Sequence, residues 1–201
     1  IPNEGDTQAM EYLLFLQNLR ETAPTFLNEG ILSLSEFMGG TGALAVMALV
    51  YWCISKEAGS FMLLNFSSAY MMNQTLKNIF CVSRPFLRDS RLHPYTEATG
   101  YSFPSGHTQS SVGVFGSIAR YEKAKWLRAV CIAICILVPL SRLYLGVHTP
   151  LDVGVSLGIS LVLIFGLFPF IQNCFEDTNK MRILFMGMII LSVLYCAFVN
   201  F

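Results

Sequence analysis

Long apolar stretches separated by short polar joints recur along most of this chain. A helix needs about 20 mostly apolar residues to cross the roughly 30 Å hydrocarbon core of a bilayer. Six stretches meet or approach that length: Phe37 to Ile54, Gly59 to Phe80, Gly106 to Tyr121, Trp126 to Leu145, Leu151 to Gln172 and Ile183 to Phe201. Their middles carry almost no charge, and the joints are short except for Ser83 to Pro104. The pattern predicts an all-α, polytopic membrane helical bundle of about six spans, the last (183–201) peripheral to the core.

Residues 1–36 read differently. Between Thr7 and Arg20, the apolar Met10, Leu13, Leu14, Phe15 and Leu16 share space with Glu11, Gln17, Asn18 and Arg20. A second helix is expected to start near Thr22 and Pro24, a cap and first-turn pair. Arg20, Glu21, Glu29 and Glu36 are too frequent for a span. This segment is expected to be a surface amphipathic helical piece, lying on the membrane or against the bundle. Residues 37–201 then form the membrane-embedded unit.

Composition agrees with that division. Of 201 residues, 54% are apolar and 13% charged, against a charged share of about 25% in ordinary soluble domains. The formal net charge is zero, so no basic face recommends a nucleic-acid partner. No obligate protein partner is evident. Cys53, Cys131, Cys135, Cys174 and Cys196 lie in or beside apolar runs and read as small buried hydrophobes. Cys131 and Cys135 have no His, Asp or Glu nearby to complete a zinc site. The acidic start, with Glu4, Asp6 and Glu11, lacks the basic region of a signal peptide. Gly154 with Gly158, and Gly113 with Ser117, read as places of close helix contact.

The remaining charges carry the chemistry. Alternating the spans brings three polar clusters to one membrane face. Lys77 and Arg84 close the second span, seven positions apart, so both can share one face at its end. Ser105, Gly106 and His107 open the third span, where free N–H groups and the positive helix end favour an anion. Ser141 and Arg142 close the fourth; His148 and Asp152 open the fifth at i and i+4, a spacing that lets Asp152 orient the imidazole. Each residue alone has a dull explanation, such as a snorkelling cation or a cap. Together they place three cations and two histidines beside one carboxylate where unpaired charge is costly. The partner this implies is an anion, and phosphate is the natural one.

Read in order, the clusters are K-x6-R-P at Lys77–Pro85, P-S-G-H at Pro104–His107 and S-R-x5-H-x3-D at Ser141–Asp152. All eleven positions resemble the signature of the type 2 phosphatidic acid phosphatase superfamily, which shares a helical fold with vanadium haloperoxidases. The resemblance covers about Phe37 to Gln172; a span after the core, where many bacterial members carry one before it, is the departure.

The resemblance implies the following roles. His148 attacks phosphorus and Asp152 orients it; His107 protonates the leaving oxygen and later activates water. Lys77, Arg84, Arg142, the Ser105 hydroxyl and the Gly106 N–H hold phosphate oxygens, so neither a metal nor a cofactor is required. The expected activity is removal of phosphate from a membrane lipid such as an isoprenoid diphosphate or phosphatidate. Alternatives are a phosphotransferase with the same first half-reaction, a haloperoxidase, or a lipid-binding or channel-like protein. The last has no use for His107 together with the His148–Asp152 spacing.

Two further expectations concern the surroundings. Cations at Lys56, Arg120, Lys123, Lys125, Arg128, Lys180 and Arg182 lie opposite the site. That places the bundle in the cytoplasmic (inner) membrane with its site extracytoplasmic. The loop Phe86 to Tyr101 is either an ordinary solvated loop or one in which Arg88 or Arg91 reaches a second phosphate or headgroup.

Overall fold

A computed structural model describes residues 4–199. Residues 1–3, and residues 200–201 at the end of the last expected span, lie outside the described residues. All regular structure among the described residues is helical. Helices α1 (Glu4–Thr22) and α2 (Thr25–Gly39) precede α3 (Thr41–Leu49), whose last turns widen into a π-helical segment, Val50–Ile54. There follow α4 (Lys56–Phe80), the short α5 (Pro85–Arg88), and α6 (Gly106–Ser111), which runs through a π-helical stretch at Val112–Gly116 into α7 (Ser117–Tyr121). The chain finishes with α8 (Lys125–Tyr144), α9 (Pro150–Phe175) and α10 (Thr178–Val199).

Local chemistry sets the boundaries that matter. Ser55 caps α4, its hydroxyl accepting from Ala58 N–H at 3.2 Å. Cys81 ends α4 in the left-handed region at φ 47°. Thr149 and Asp152 form a reciprocal capping box at the start of α9, with Pro150 in the first turn.

The core sits around α4 and the α6–α7 rod. Phe61, Leu64, Val112, Ile164, Phe168 and Ile171 form one buried cluster, and Ala43, Met62, Val114, Phe115 and Cys131 belong to another. Outside this core the helices present large apolar side chains outward, among them Ile136 and Leu140 on α8, Val162 and Phe165 on α9 and Val193 and Leu194 on α10. A soluble domain rarely exposes so much contiguous apolar surface. The chain is a membrane protein.

The expected six spans do not all qualify as such. Among the described residues, three helices are long and apolar enough to cross a membrane (Lys125–Tyr144, Pro150–Phe175 and Asn179–Ala197), or four if Thr25–Gly39 and Thr41–Ile54, bent by 47°, count as one. Helix α4 has 25 residues, but it carries buried Ser60, Asn65 and Asn73, which protein rather than lipid surrounds. The 106–121 rod has only 16 residues, about 24 Å at 1.5 Å per residue. It is buried along most of Thr108–Ser117.

Other expectations need correction. Gly154 and Gly158 are exposed, and added Cβ atoms there would meet nothing within 4 Å, so these two mediate no helix contact among the described residues, whereas Gly113 and Ser117 are buried. Cys131 and Cys174 are buried as expected, but Cys53 and Cys196 are exposed, on faces that suit lipid as well as protein.

Helix α1 packs on the bundle. Met10 and Leu13 cluster with Leu92 of the long loop. The buried Arg20 guanidinium donates to the carbonyls of Tyr144 and His93.

Candidate active site

The motif residues gather where α4 and α8 end and α6 and α9 begin. Lys77 and Arg84 reach this region by a different route from the one their spacing suggests. Helix α4 stops at Phe80 and the left-handed Cys81 turns the chain, so Arg84 stands beyond the helix rather than two turns along it. The Lys77 ammonium donates to the Tyr101 carbonyl at 2.6 Å.

His148 is the centre of one hydrogen-bonded group. Its Nδ1 lies 3.5 Å from Asp152 Oδ2 and 3.4 Å from Ser102 Oγ. Asp152 Oδ2 also accepts from the Ser102 hydroxyl at 2.6 Å and from Thr149 N–H at 2.8 Å. On the other side of the ring, Arg84 Nη1 donates to Nε2 at 3.1 Å. A guanidinium can only donate, so Nε2 carries a lone pair and the proton of the neutral ring sits on Nδ1, toward Asp152. Burial pushes the His148 imidazole down to about 3; Asp152 opposes that, and the Arg84 charge adds to it. The ring is therefore neutral at physiological pH.

Arg84 is itself clamped. Its guanidinium donates to the carbonyls of Gly100 at 3.1 Å, Thr99 at 2.8 Å and Val147 at 3.1 Å. The Val147 carbonyl is presented by the turn at Gly146, whose φ of 74° suits glycine. A Cβ at Gly146 would also come within 3.3 Å of Arg20 Nη1.

His107 belongs to a second group. Its Nε2 is 3.0 Å from Glu36 Oε2, while Glu36 Oε1 accepts from Arg142 Nη1 at 2.8 Å. Arg142 Nη1 also donates to Ser35 Oγ at 3.1 Å. The buried Arg142 Nε has no hydrogen-bond partner among the described residues, a donor left for an anion to satisfy. Val147 links the two groups, its N–H donating to the Arg142 carbonyl at 3.3 Å while its own carbonyl accepts from Arg84.

The helix start at Ser105 is partly committed. Ser105 N–H donates to the Asp152 carbonyl at 3.2 Å, tying α6 to α9. Ser105 Oγ accepts from the Thr108 hydroxyl at 3.0 Å. Gly106 opens α6 beside a cavity of about 180 Å³ whose walls include Leu44, Phe66, Tyr70 and Asn73. Among the described residues, no three His, Cys, Asp or Glu side chains are grouped to hold a metal ion.

Glu36 and Ser102 were not singled out from the sequence. The imbalance of three cations against one carboxylate was the available signal for Glu36. The loop arginines are engaged elsewhere: Arg88 pairs with Asp6, and Arg91 with Asp89 at 2.7 Å and Glu11 at 3.1 Å.

Comparison with known proteins follows this geometry. The pattern of the PAP2 superfamily matches residues 58–176, a stretch that holds all eight motif residues assigned above. The chain belongs to the PAP2 superfamily. Phosphatidylglycerophosphatase B of Bacillus subtilis is 33% identical over 114 residues, 51% of this chain and 54% of that protein. Undecaprenyl-diphosphatase of Sulfolobus acidocaldarius is 31% identical over 104 residues, 49% of this chain and 48% of that protein. The chain thus matches about half the length of these curated PAP2 relatives.

Two solved structures share the fold. The transmembrane PAP2 type phosphatidylglycerolphosphate phosphatase from Bacillus subtilis aligns over 88% of this chain and 89% of its own, with a TM-score of 0.60 and 23% identity. Aquifex aeolicus LpxE aligns over 75% of this chain and 90% of its own, with a TM-score of 0.66 and 21% identity.

Proposed function

We propose that this chain hydrolyses a phosphate ester or diphosphate on a membrane lipid, without a metal, through a phosphohistidine intermediate. The observation that carries the reading is the His148 ring, buried and neutral, with its Nε2 lone pair held against Arg84 and its Nδ1 facing Asp152. That is the state a nitrogen nucleophile needs before it attacks phosphorus.

In the reaction, Arg84 Nη1 passes from Nε2 to a phosphate oxygen, which frees the lone pair. The Nε2–P bond forms as the P–O bond to the lipid breaks, and His107 gives its proton to the departing oxygen. Asp152 stabilises the positive charge that grows on the His148 ring. Water then attacks phosphorus, His107 takes its proton, and the Nε2–P bond breaks to release phosphate. Lys77, Arg84, Arg142, the Ser105 hydroxyl and the Gly106 N–H stabilise the oxygens as charge redistributes.

The substrate class is supported by the relatives, whose names are phosphatidylglycerophosphatase and undecaprenyl-diphosphatase. An isoprenoid or glycerolipid phosphate fits a site that opens at the end of a lipid-embedded bundle. Membrane lipids are the expected partners. We place the protein in the cytoplasmic membrane with this site on the extracytoplasmic face.

Phosphate release from a panel of lipid phosphates by the purified protein in detergent tests the reading. Release is expected in EDTA and is blocked by vanadate, and His148→Ala abolishes it while the protein still folds. Loss of activity in EDTA that a divalent metal restores would overturn the metal-free mechanism. An acceptor alcohol that captures most of the phosphoryl group would instead favour the transferase reading.

A further inference from the structure

Glu36 lies outside the superfamily match at residues 58–176. It comes from α2, in a segment that the sequence places on the membrane surface or against the bundle. Yet one oxygen of its carboxylate sits 3.0 Å from His107 Nε2 and the other 2.8 Å from Arg142 Nη1. The same helix packs onto the ring itself: a Cβ at Gly39 would stand 2.8 Å from His107 Cδ2. Glycine is the residue that lets this helix end come so close.

We infer that Glu36 is a positioning residue for His107, so that α2 is part of the proton-transfer machinery. The inference rests on the proposal that His107 protonates the leaving oxygen. A carboxylate can only accept, so Glu36 fixes a proton on His107 Nε2 and holds the ring plane. In the protonated ring, Nδ1–H is then the group free to meet the substrate. That proton passes to the lipid oxygen as its bond to phosphorus breaks, and the attacking water returns one to Nδ1. Arg142 keeps the carboxylate ionised and in place, and binds phosphate through its remaining donors.

A second possibility is that Glu36 merely occupies the anion site until phosphate displaces it. Such a gate would need a loosely held helix. Instead Ser35 is fully buried, and Asn28 of the same helix donates to the Arg20 carbonyl at 3.0 Å and accepts from the Tyr144 hydroxyl at 2.6 Å. Helix α2 is fastened at both ends of this stretch.

Leaving-group dependence tests the inference. A group that protonates the leaving oxygen matters greatly for an alkoxide and little for a nitrophenolate, which departs without help. The full chain in detergent is assayed on a long-chain alkyl phosphate and on a nitrophenyl phosphate bearing the same chain on its ring. Glu36→Gln is expected to lower kcat/KM, which reports the steps through P–O cleavage and not the later attack of water, for the alkyl ester on the order of tenfold to a hundredfold, within the usual range for general-acid catalysis. The aryl ester should lose less than about threefold in kcat/KM by the same argument, whatever happens to the water step that both esters share. His107→Ala should show the same bias, and the double variant should lose little beyond it. If Glu36→Gln does not fold, Glu36→Asp carries the test, because one methylene less draws the carboxylate back from the ring.

Equal losses on the two esters, or no loss, would overturn the positioning role. A lowered KM with kcat intact would overturn it too, in favour of the displaced gate. If His107→Ala itself discriminates nothing between the esters, the role proposed for His107 fails first.

Discussion

Ser102 donates to the carboxylate that faces His148, at 2.6 Å, and it is fully buried. A hydrogen bond to a charged group contributes about 1.5–3 kcal/mol. Ser102→Ala is therefore expected to lower kcat/KM by roughly ten- to a hundredfold with the fold intact. Unchanged kinetics in steady-state assays would mean that Thr149 N–H suffices to orient Asp152. His148 gives a second expectation at this scale. An unfolded histidine takes up a proton below its ordinary value near 6.5, whereas the folded ring resists protonation down to about 3. Between those values the unfolded chain binds more protons, so stability falls as pH drops through that window. His148→Asn, which cannot titrate, should lose less stability than the parent over pH 6.5 to 3, read as Tm in detergent. Parallel slopes would contradict a buried, neutral ring.

The motif residues were legible in the sequence because their types and order are unusual in an apolar chain. Ser102 and Glu36 were not. Ser102 meets Asp152 across fifty positions of sequence, a contact that no local spacing encodes. Glu36 was one acid among several in a segment too charged to span. At the scale of elements, length and hydropathy found the helices but misjudged their surroundings. Helix α4 is built for protein contact: Asn65 donates to Ser117 at 3.0 Å, and Asn73 to the Pro104 carbonyl at 3.1 Å. Its apolar and polar residues look like those of an imperfect span when read one chain position at a time. Glycine spacing misled for a related reason. Gly154 and Gly158 face outward, while Ser156 and Ser160 of the same helix are the small residues that turn inward. A spacing of four marks a helix face without saying which face the fold buries. Cys81 was illegible as a helix stop, because its left-handed turn is set by the return of the chain toward the site.

The molecule as a whole separates its charges by face. Arg88 and Arg91 on the catalytic side are paired with Asp6, Asp89 and Glu11, and Arg20 is buried against carbonyls. Lys56, Lys123, Lys125, Lys180 and Arg182 lie at the opposite helix ends, and we propose that this is the cytoplasmic face. In a background without native cysteines, Ser90→Cys is expected to react with an impermeant thiol reagent in intact cells. Lys123→Cys should react only after lysis, and the reverse pattern would invert the orientation. The proposed mechanism turns on a covalent bond between phosphorus and one ring nitrogen. Rapid acid-free quenching of the enzyme with a lipid substrate labelled in its phosphate tests this most directly. The account predicts an acid-labile, base-stable label on the peptide that contains His148, absent from His148→Ala. Full turnover with no labelled enzyme, or a label on any other residue, would contradict it.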